Sequence, residues 1–178
     1  KMNVVLTDGS QPIGNGVGPV LEMQDVIRVL KRENSPKDLE NKSIFLAAEI
    51  LEMVSKAKKG NGEQMAREAL YSGRAYKKFE EIISAQGKIF TDLKPAKFTF
   101  DITAKNNGKI SLIDNRSINL LGRILGCPAD KTAGLYLYKH NLEAVKKGDK
   151  LLTLYSESEK KLDEAIRFFS ESKPIQIE

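Results

Sequence analysis

The chain is poor in the residues that build metal centres and disulfides: its 178 residues include one cysteine, one histidine and no tryptophan. A single cysteine excludes an internal disulfide, and one Cys with one His cannot supply the roughly four N/S ligands of a structural zinc site. No apolar run approaches the about 20 residues that a membrane-spanning helix needs, because Lys, Glu or Asn interrupts each stretch. The opening, Lys1-Met2-Asn3-Val4-Val5-Leu6-Thr7-Asp8-Gly9, turns polar too soon for a secretory signal. What is present is an ordinary balance for a folded protein: 40% hydrophobic residues and 30% charged, with 29 Lys+Arg against 24 Asp+Glu giving a net charge of +5. This composition predicts one full core or two small ones, in a reducing cytoplasm, with no membrane partner.

Patterning divides the chain into two parts. The first, residues 1–90, opens on an apolar strand and a loop with Gly9, Gly14, Gly16 and Gly18. Pro19 suits the first turn of a helix carrying Leu21, Val26, Ile27 and Leu30. A second helix is expected with Ser35 as cap and Pro36 as its first residue, running towards Gly60. Its apolar positions, Leu39, Ile44, Phe45, Ala48, Leu51 and Val54, predict a buried helix. Two more are expected over 64–71 and 74–85, closing near Gly73 and Gly87. The second part, residues 93–178, turns strand-rich. Phe98, Phe100 and Ile102 alternate with polar residues, and Asn106-Asn107-Gly108 predicts a hairpin back through Ile110 to Ile113. A helix capped by Asp114 or Asn115 and stopped by Gly126 follows, then strands over 135–138 and 151–155 around a turn at Gly148-Asp149. A last helix capped by Ser158 and an edge strand over 174–177 complete the pattern. The fold class expected is an α/β piece (strand, glycine loop, helices) followed by a smaller α+β domain, joined near Phe90 to Pro95.

The chemistry-bearing residues are few. The strand, glycine loop and helix start over residues 3–19 could let backbone N–H groups of Gly14, Gly16 and Gly18 face an anion. The spacing fails the dinucleotide pattern, since Pro19 stands where a third glycine belongs, and no Gly-Lys-Ser/Thr follows. A purely structural turn explains the same glycines. Asp8 sits where open α/β sheets place binding residues, at the end of a strand, though an Asp-Gly turn needs no ligand. Cys127 has no neighbouring base and reads as an inert thiol; His140, in a polar turn, reads as structural. The lysine clusters at 56–59, 77–78, 146–150 and 160–161 are interleaved with glutamates, which reads as solvated surface rather than a nucleic-acid site.

The run Val5-Leu6-Thr7-Asp8-Gly9-Ser10-Gln11-Pro12-Ile13-Gly14, continuing through Gly16-Val17-Gly18-Pro19, resembles the thymidine phosphorylase family. Gly9-Ser10 and Gly18-Pro19 are similar to its archaeal branch, which includes AMP phosphorylases. Ala85-Gln86-Gly87, Gly108-Lys109-Ile110, Asp114-Asn115-Arg116, Ala133 to Lys139 and Lys147 to Leu152 extend the resemblance along the chain.

That resemblance implies a pentosyltransferase that splits an N-glycosidic bond with inorganic phosphate as co-substrate and with no cofactor or metal. It implies AMP giving adenine and ribose 1,5-bisphosphate, or thymidine giving thymine and deoxyribose 1-phosphate, in a homo-oligomer. The family's phosphate loop and nucleoside-binding residues precede the Thr-Asp-Gly-Ser-Gln-Pro run, and no such motif occurs here. The chain therefore reads as the C-terminal part of such an enzyme, inactive alone, with no catalytic residue of its own. Asp8, Ser10 and Gln11 would rim the cleft. The opening strand, left without companions, is expected to be disordered or to pair with a second copy. The second part resembles the family's C-terminal domain; its turn at 145–149 is similar to biotinyl and lipoyl carriers but lacks their modified-lysine tip. A non-catalytic assembly module is the alternative.

Overall fold

Prolines and carboxylates set where the helices of the first half begin. The computed structural model of the protein describes residues 2–87 and 93–178. Helix α1 (Pro19–Lys31) starts on Pro19, whose missing N–H costs nothing in a first turn. The Glu22 carboxylate reaches back to accept from the Gly18 N–H at 2.9 Å. Helix α2 (Lys37–Met53) begins later than expected: Pro36 is the N-cap, in extended backbone with no side-chain cap. Ser35, expected to cap, donates its hydroxyl to Glu40 instead. Helix α3 (Gly62–Tyr71) begins before the expected residue 64. Glu52, at the end of α2, accepts from the N–H groups of Gly60 and Gly62, each at 2.9 Å, and so takes the place of a cap. Helix α4 (Arg74–Ala85) follows Gly73, whose left-handed backbone (φ 76°) suits a residue without Cβ.

The chain forms two compact units; of the described residues, the first takes 2–7 and 25–87, and the second 8–24 and 93–178. The loop and helix start over 8–24, grouped with the helices in the sequence reading, thus belong to the second unit. Residues 90–92 of the predicted junction lie outside the described residues. In the first unit Val29, Ile44, Ala66 and Leu70 form the core. Here α2 differs from the expected buried helix: Phe45 and Ile50 are 40% and 55% exposed, because only the stripe carrying Ile44 and Ala48 is covered. The expected opening strand also does not form. Met2, Val4 and Leu6 are 91%, 77% and 94% exposed. A strand needs a neighbour for its N–H and C=O groups, and no described segment pairs with this one.

The second unit is mixed α/β with two antiparallel sheets among the described residues. One has the order β1-β4-β6-β2 and the other β5-β3-β7, formed by β1 (Gly16–Val17), β2 (Phe98–Thr103), β3 (Gly108–Ile113), β4 (Gly134–Leu137), β5 (Ala144–Val145), β6 (Lys150–Ser156) and β7 (Ile175–Ile177). The hairpin expected from Asn106-Asn107-Gly108 is not made: β2 pairs with β6, and β3 with β5 and β7. The turn at 146–149 intervenes. Ala104 N–H donates to Asp149 O (2.8 Å), Gly148 N–H to Ala104 O (2.9 Å) and Lys147 N–H to Asn107 Oδ1 (2.8 Å), so the Ala104 backbone and the Asn107 side chain are bonded to this turn. The edge strand at the C-terminal end does form, as β7.

Helices α5 (Asn115–Leu125) and α6 (Glu159–Ser172) pack on the four-stranded sheet. Asp114 caps α5 by accepting from Arg116 and Ser117 N–H, and Ser158 caps α6 by accepting from Lys161 N–H, as the sequence predicts. Ile118, Leu121 and Leu125, spaced to share one face of α5, meet Leu135, Leu137, Leu152 and Leu154, all at most 1% exposed. Each such side chain contributes about 1.5–3 kcal/mol of burial.

Candidate functional site

The loop over residues 8–18 is the segment to which sequence and resemblance assign most chemistry. Its carboxyl-terminal end becomes β1, an edge strand in which Gly16 faces Tyr136 and Val17 faces Leu135. A Cβ on Gly16 would lie 2.5 Å from the Leu21 carbonyl carbon, and one on Gly18 would lie 2.5 Å from the Ala133 carbonyl oxygen. Gly14, Gly16 and Gly18 are buried. At the start of α1 the Gly18 N–H is held by Glu22, and Val20 N–H donates to Lys131 O at 3.1 Å. Of the donors expected to face an anion, the Gly18 N–H is engaged by Glu22; Gly16 allows the loop to pack closely on Leu21 of α1, and Gly18 on Ala133 and the start of β4.

Before β1, side chains tie the loop down. Asn15 is the hub. Its Nδ2 donates to the Tyr136 hydroxyl (2.9 Å), its Oδ1 lies 2.9 Å from His140 Nε2, and its carbonyl accepts from Leu137 N–H (2.7 Å). Because Oδ1 is an acceptor, His140 carries its proton on Nε2. His140 Nδ1 and Asn141 Oδ1 are buried with no hydrogen-bond partner among the described residues. Gln11 Oε1 accepts from Asn141 N–H (2.8 Å), and Asn115 Nδ2 donates to Gly9 O (2.6 Å). Asp8 Oδ1 accepts from Ser10 N–H at 2.9 Å, closing a short turn. Of the three residues expected at a cleft rim, Asp8 and Ser10 are exposed, whereas Gln11 is partly buried and braces the loop. None of Asn15, Tyr136, Asn141 and Asn115 was expected at the site from the sequence. Asn15, between Gly14 and Gly16, carries no spacing signal toward residues 136 and 140.

A second polar cluster lies on β2 and β6, with Tyr138 just past the end of β4. Thr153 Oγ1 donates to Asp101 Oδ1 (2.6 Å), and Lys150 Nζ pairs with Asp101 Oδ2 (2.7 Å) and stands 5.2 Å from the Tyr138 ring centroid. The Lys150 and Thr153 hydrogen bonds hold the Asp101 carboxyl below its ordinary range. Burial, with the neighbouring Tyr138, pushes the Tyr155 phenol up to about 12. Such a phenol is neutral at physiological pH and acts as a hydrogen-bonding group. Cys127 is inert for a related reason: burial first, then Glu22 and Asp130, push its thiol up, away from the reactive thiolate. Several clustered lysines are paired with carboxylates: Lys78 with Glu81, Lys150 with Asp101, and Lys161 with Asp130.

Part of the second unit matches a known domain. Residues 109–176 match the family model of the pyrimidine nucleoside phosphorylase C-terminal domain. Beyond that domain the chain is similar over 99% of its length to a protein provisionally named as a thymidine phosphorylase from Legionella pneumophila (strain Corby), with 41% identity over 177 residues. It is 41% identical over 182 residues to the AMP phosphorylase of Thermococcus kodakarensis and 42% identical over 182 residues to that of Pyrococcus furiosus, again over 99% of the chain. The chain is thus similar to the C-terminal portion of these phosphorylases. It spans about a third of the length of the curated relatives it matches, covering 34% of the first and 36% of the other two.

Proposed function

We propose that the chain is the C-terminal part of a nucleotide phosphorylase that cleaves AMP with inorganic phosphate. The observation that carries this reading is the similarity to AMP phosphorylases along nearly the entire chain, from the Thr7-Asp8-Gly9-Ser10-Gln11-Pro12 run through the matched C-terminal domain. In the reaction a phosphate oxygen bonds to the sugar's anomeric carbon. The carbon–nitrogen bond breaks, its electron pair passes to the departing base, and adenine and ribose 1,5-bisphosphate are formed. The task of the protein is to hold phosphate in line and to stabilise charge on the departing base. Asp8 and Ser10, exposed on the anchored loop, would border the substrate; no group of this chain is assigned to bond making or breaking. The reaction needs no cofactor on this reading, and the enzyme would be a cytoplasmic homo-oligomer.

Thymidine is the alternative substrate, supported by the Legionella relative's name. The test is phosphate-dependent release of adenine from AMP and of thymine from thymidine, by the 178-residue chain and by the longer polypeptide that this reading implies. The expected result is release of adenine by the longer protein and none by the chain. Release by the chain alone would place the reacting groups within it. An assembly module without catalytic influence is the second reading; in the longer protein, removal of residues 93–178 would then change oligomer size and leave the rate per folded subunit intact.

A further inference from the structure

We propose that the C-terminal domain acts on catalysis through Asn15 and His140, as positioning residues that hold the Asp8–Gln11 rim in place. The inference rests on the phosphorylase reading and adds a role for a domain that supplies no reacting group.

The rim segment has no regular secondary structure between Asp8 and Asn15, so its position must come from side-chain and loop bonds. Those bonds come from the far end of the sequence. Residues 9, 11 and 15 are bonded to 115, 141, and to 136, 137 and 140. Asn15 uses its amide nitrogen, amide oxygen and main-chain carbonyl in this way, which fixes it at three points rather than one. His140 closes the set: as the Nε2–H form it donates to Asn15 Oδ1, orienting the amide so that Nδ2 meets the Tyr136 hydroxyl. Gly16 and Gly18 complete the seat by letting the chain lie against Leu21 and Ala133 at distances a side chain would forbid. Asp8 and Ser10 stay at the surface above this base. That is the pattern of a support and the groups it presents.

The anchor is tested on the chain itself by amide hydrogen exchange. Asn15→Ala is expected to speed exchange at Leu137 and Asn141 by about tenfold or more while Leu152 and Leu154 keep their protection. Unchanged protection at Leu137 and Asn141 would overturn the anchor. The positioning role is tested in the longer phosphorylase by comparing His140→Leu with His140→Gln, since Gln keeps an N–H for Asn15 and Leu does not. His140→Leu is expected to lower kcat/KM for AMP about 10- to 100-fold with the thermal midpoint nearly unmoved, and His140→Gln to restore most of it. An equal loss in both variants, or no loss in either, would overturn the positioning role. A wild-type longer protein that releases no base would instead remove the phosphorylase reading, and the catalytic half of the proposal with it; the exchange result would still decide the anchor.

Discussion

The hydroxyl of Ser156, fully buried at the end of β6, donates a 2.8 Å hydrogen bond to the carbonyl of Leu125 in the last turn of α5. The bond joins helix to sheet at a carbonyl that the end of the helix leaves without an intrahelical partner. Ser156→Ala removes the donor and strands the acceptor in an apolar setting, which is expected to cost about 1–3 kcal/mol. A lower urea midpoint at unchanged slope would show it, whereas an unchanged midpoint would mean that Leu125 finds another donor.

Two glycines in the second unit make a controlled comparison. Gly134 (φ 153°) lies so close to β1 that a Cβ would sit 2.1 Å from the Val17 carbonyl oxygen, whereas Gly148 (φ 92°) has open space where its Cβ would be. Gly148→Ala is therefore expected to cost only backbone strain, about 1–2 kcal/mol. Gly134→Ala must also push β1 off β4, and should show a clearly greater fall in thermal midpoint together with a loss of protection at Leu137 N–H. Equal shifts for the two would contradict the close approach.

The Asp101–Lys150 pair gives a pH signature. Lys150 and Thr153 lower the folded-state value of Asp101 below the ordinary 3.8. Its contribution is therefore present above that ordinary value and lost as the pH falls through the lower, folded one. Asp101→Asn is expected to lower the urea midpoint at pH 7, with wild type and variant converging in strong acid. Lys150, raised above its ordinary 10.5 by the same bond, contributes below 10.5 and loses that contribution as the pH climbs past its folded value. A difference that persisted unchanged into strong acid would mean that Asp101 acts through packing and not through its charge.

Cys127 is expected to resist alkylation. Its thiol is raised above 9.0 by burial and donates to Ala133 O at 3.5 Å. Iodoacetamide at neutral pH should modify the unfolded chain far faster than the folded one, with the folded rate still climbing above pH 9.0. Rapid labelling of folded protein at neutral pH would show a lowered thiol and reopen a reactive role.

Leu121, with no exposed surface at the centre of α5, tests the core of the second unit. Leu121→Ala is expected to cost about 2–5 kcal/mol, the range for opening a cavity that its surroundings only partly fill. A much smaller loss, read from the same urea unfolding, would mean that α5 settles into the space.

Local signals carried much of this fold. Pro19 and Gly126 bound their helices, Asp114 and Ser158 cap α5 and α6, and the spacing of Ile118, Leu121 and Leu125 marks a buried face before any coordinate is known. Each depends on neighbours within about a turn of chain, where steric and hydrogen-bond rules are short-ranged. The Thr7 to Pro12 run likewise pointed to a phosphorylase by its residue order.

What remained hidden depends on residues far apart in sequence. Asn106-Asn107-Gly108 has hairpin chemistry, yet the turn at 146–149 bonds Ala104 and the Asn107 side chain, and β2 and β3 pair in different sheets. Phe45 and Val54 belong to the apolar set read at helical spacing but stay exposed, since periodicity shows that a face is apolar and not what covers it. Asn15 meets residues 136 and 140 across more than a hundred positions of chain, and a hydrogen bond between such partners leaves no periodicity to read. Short-range chemistry is written in the order of the residues; strand pairing, coverage and the seat of the Asp8–Gln11 loop arise only when the folded chain brings distant donors and acceptors within bonding distance.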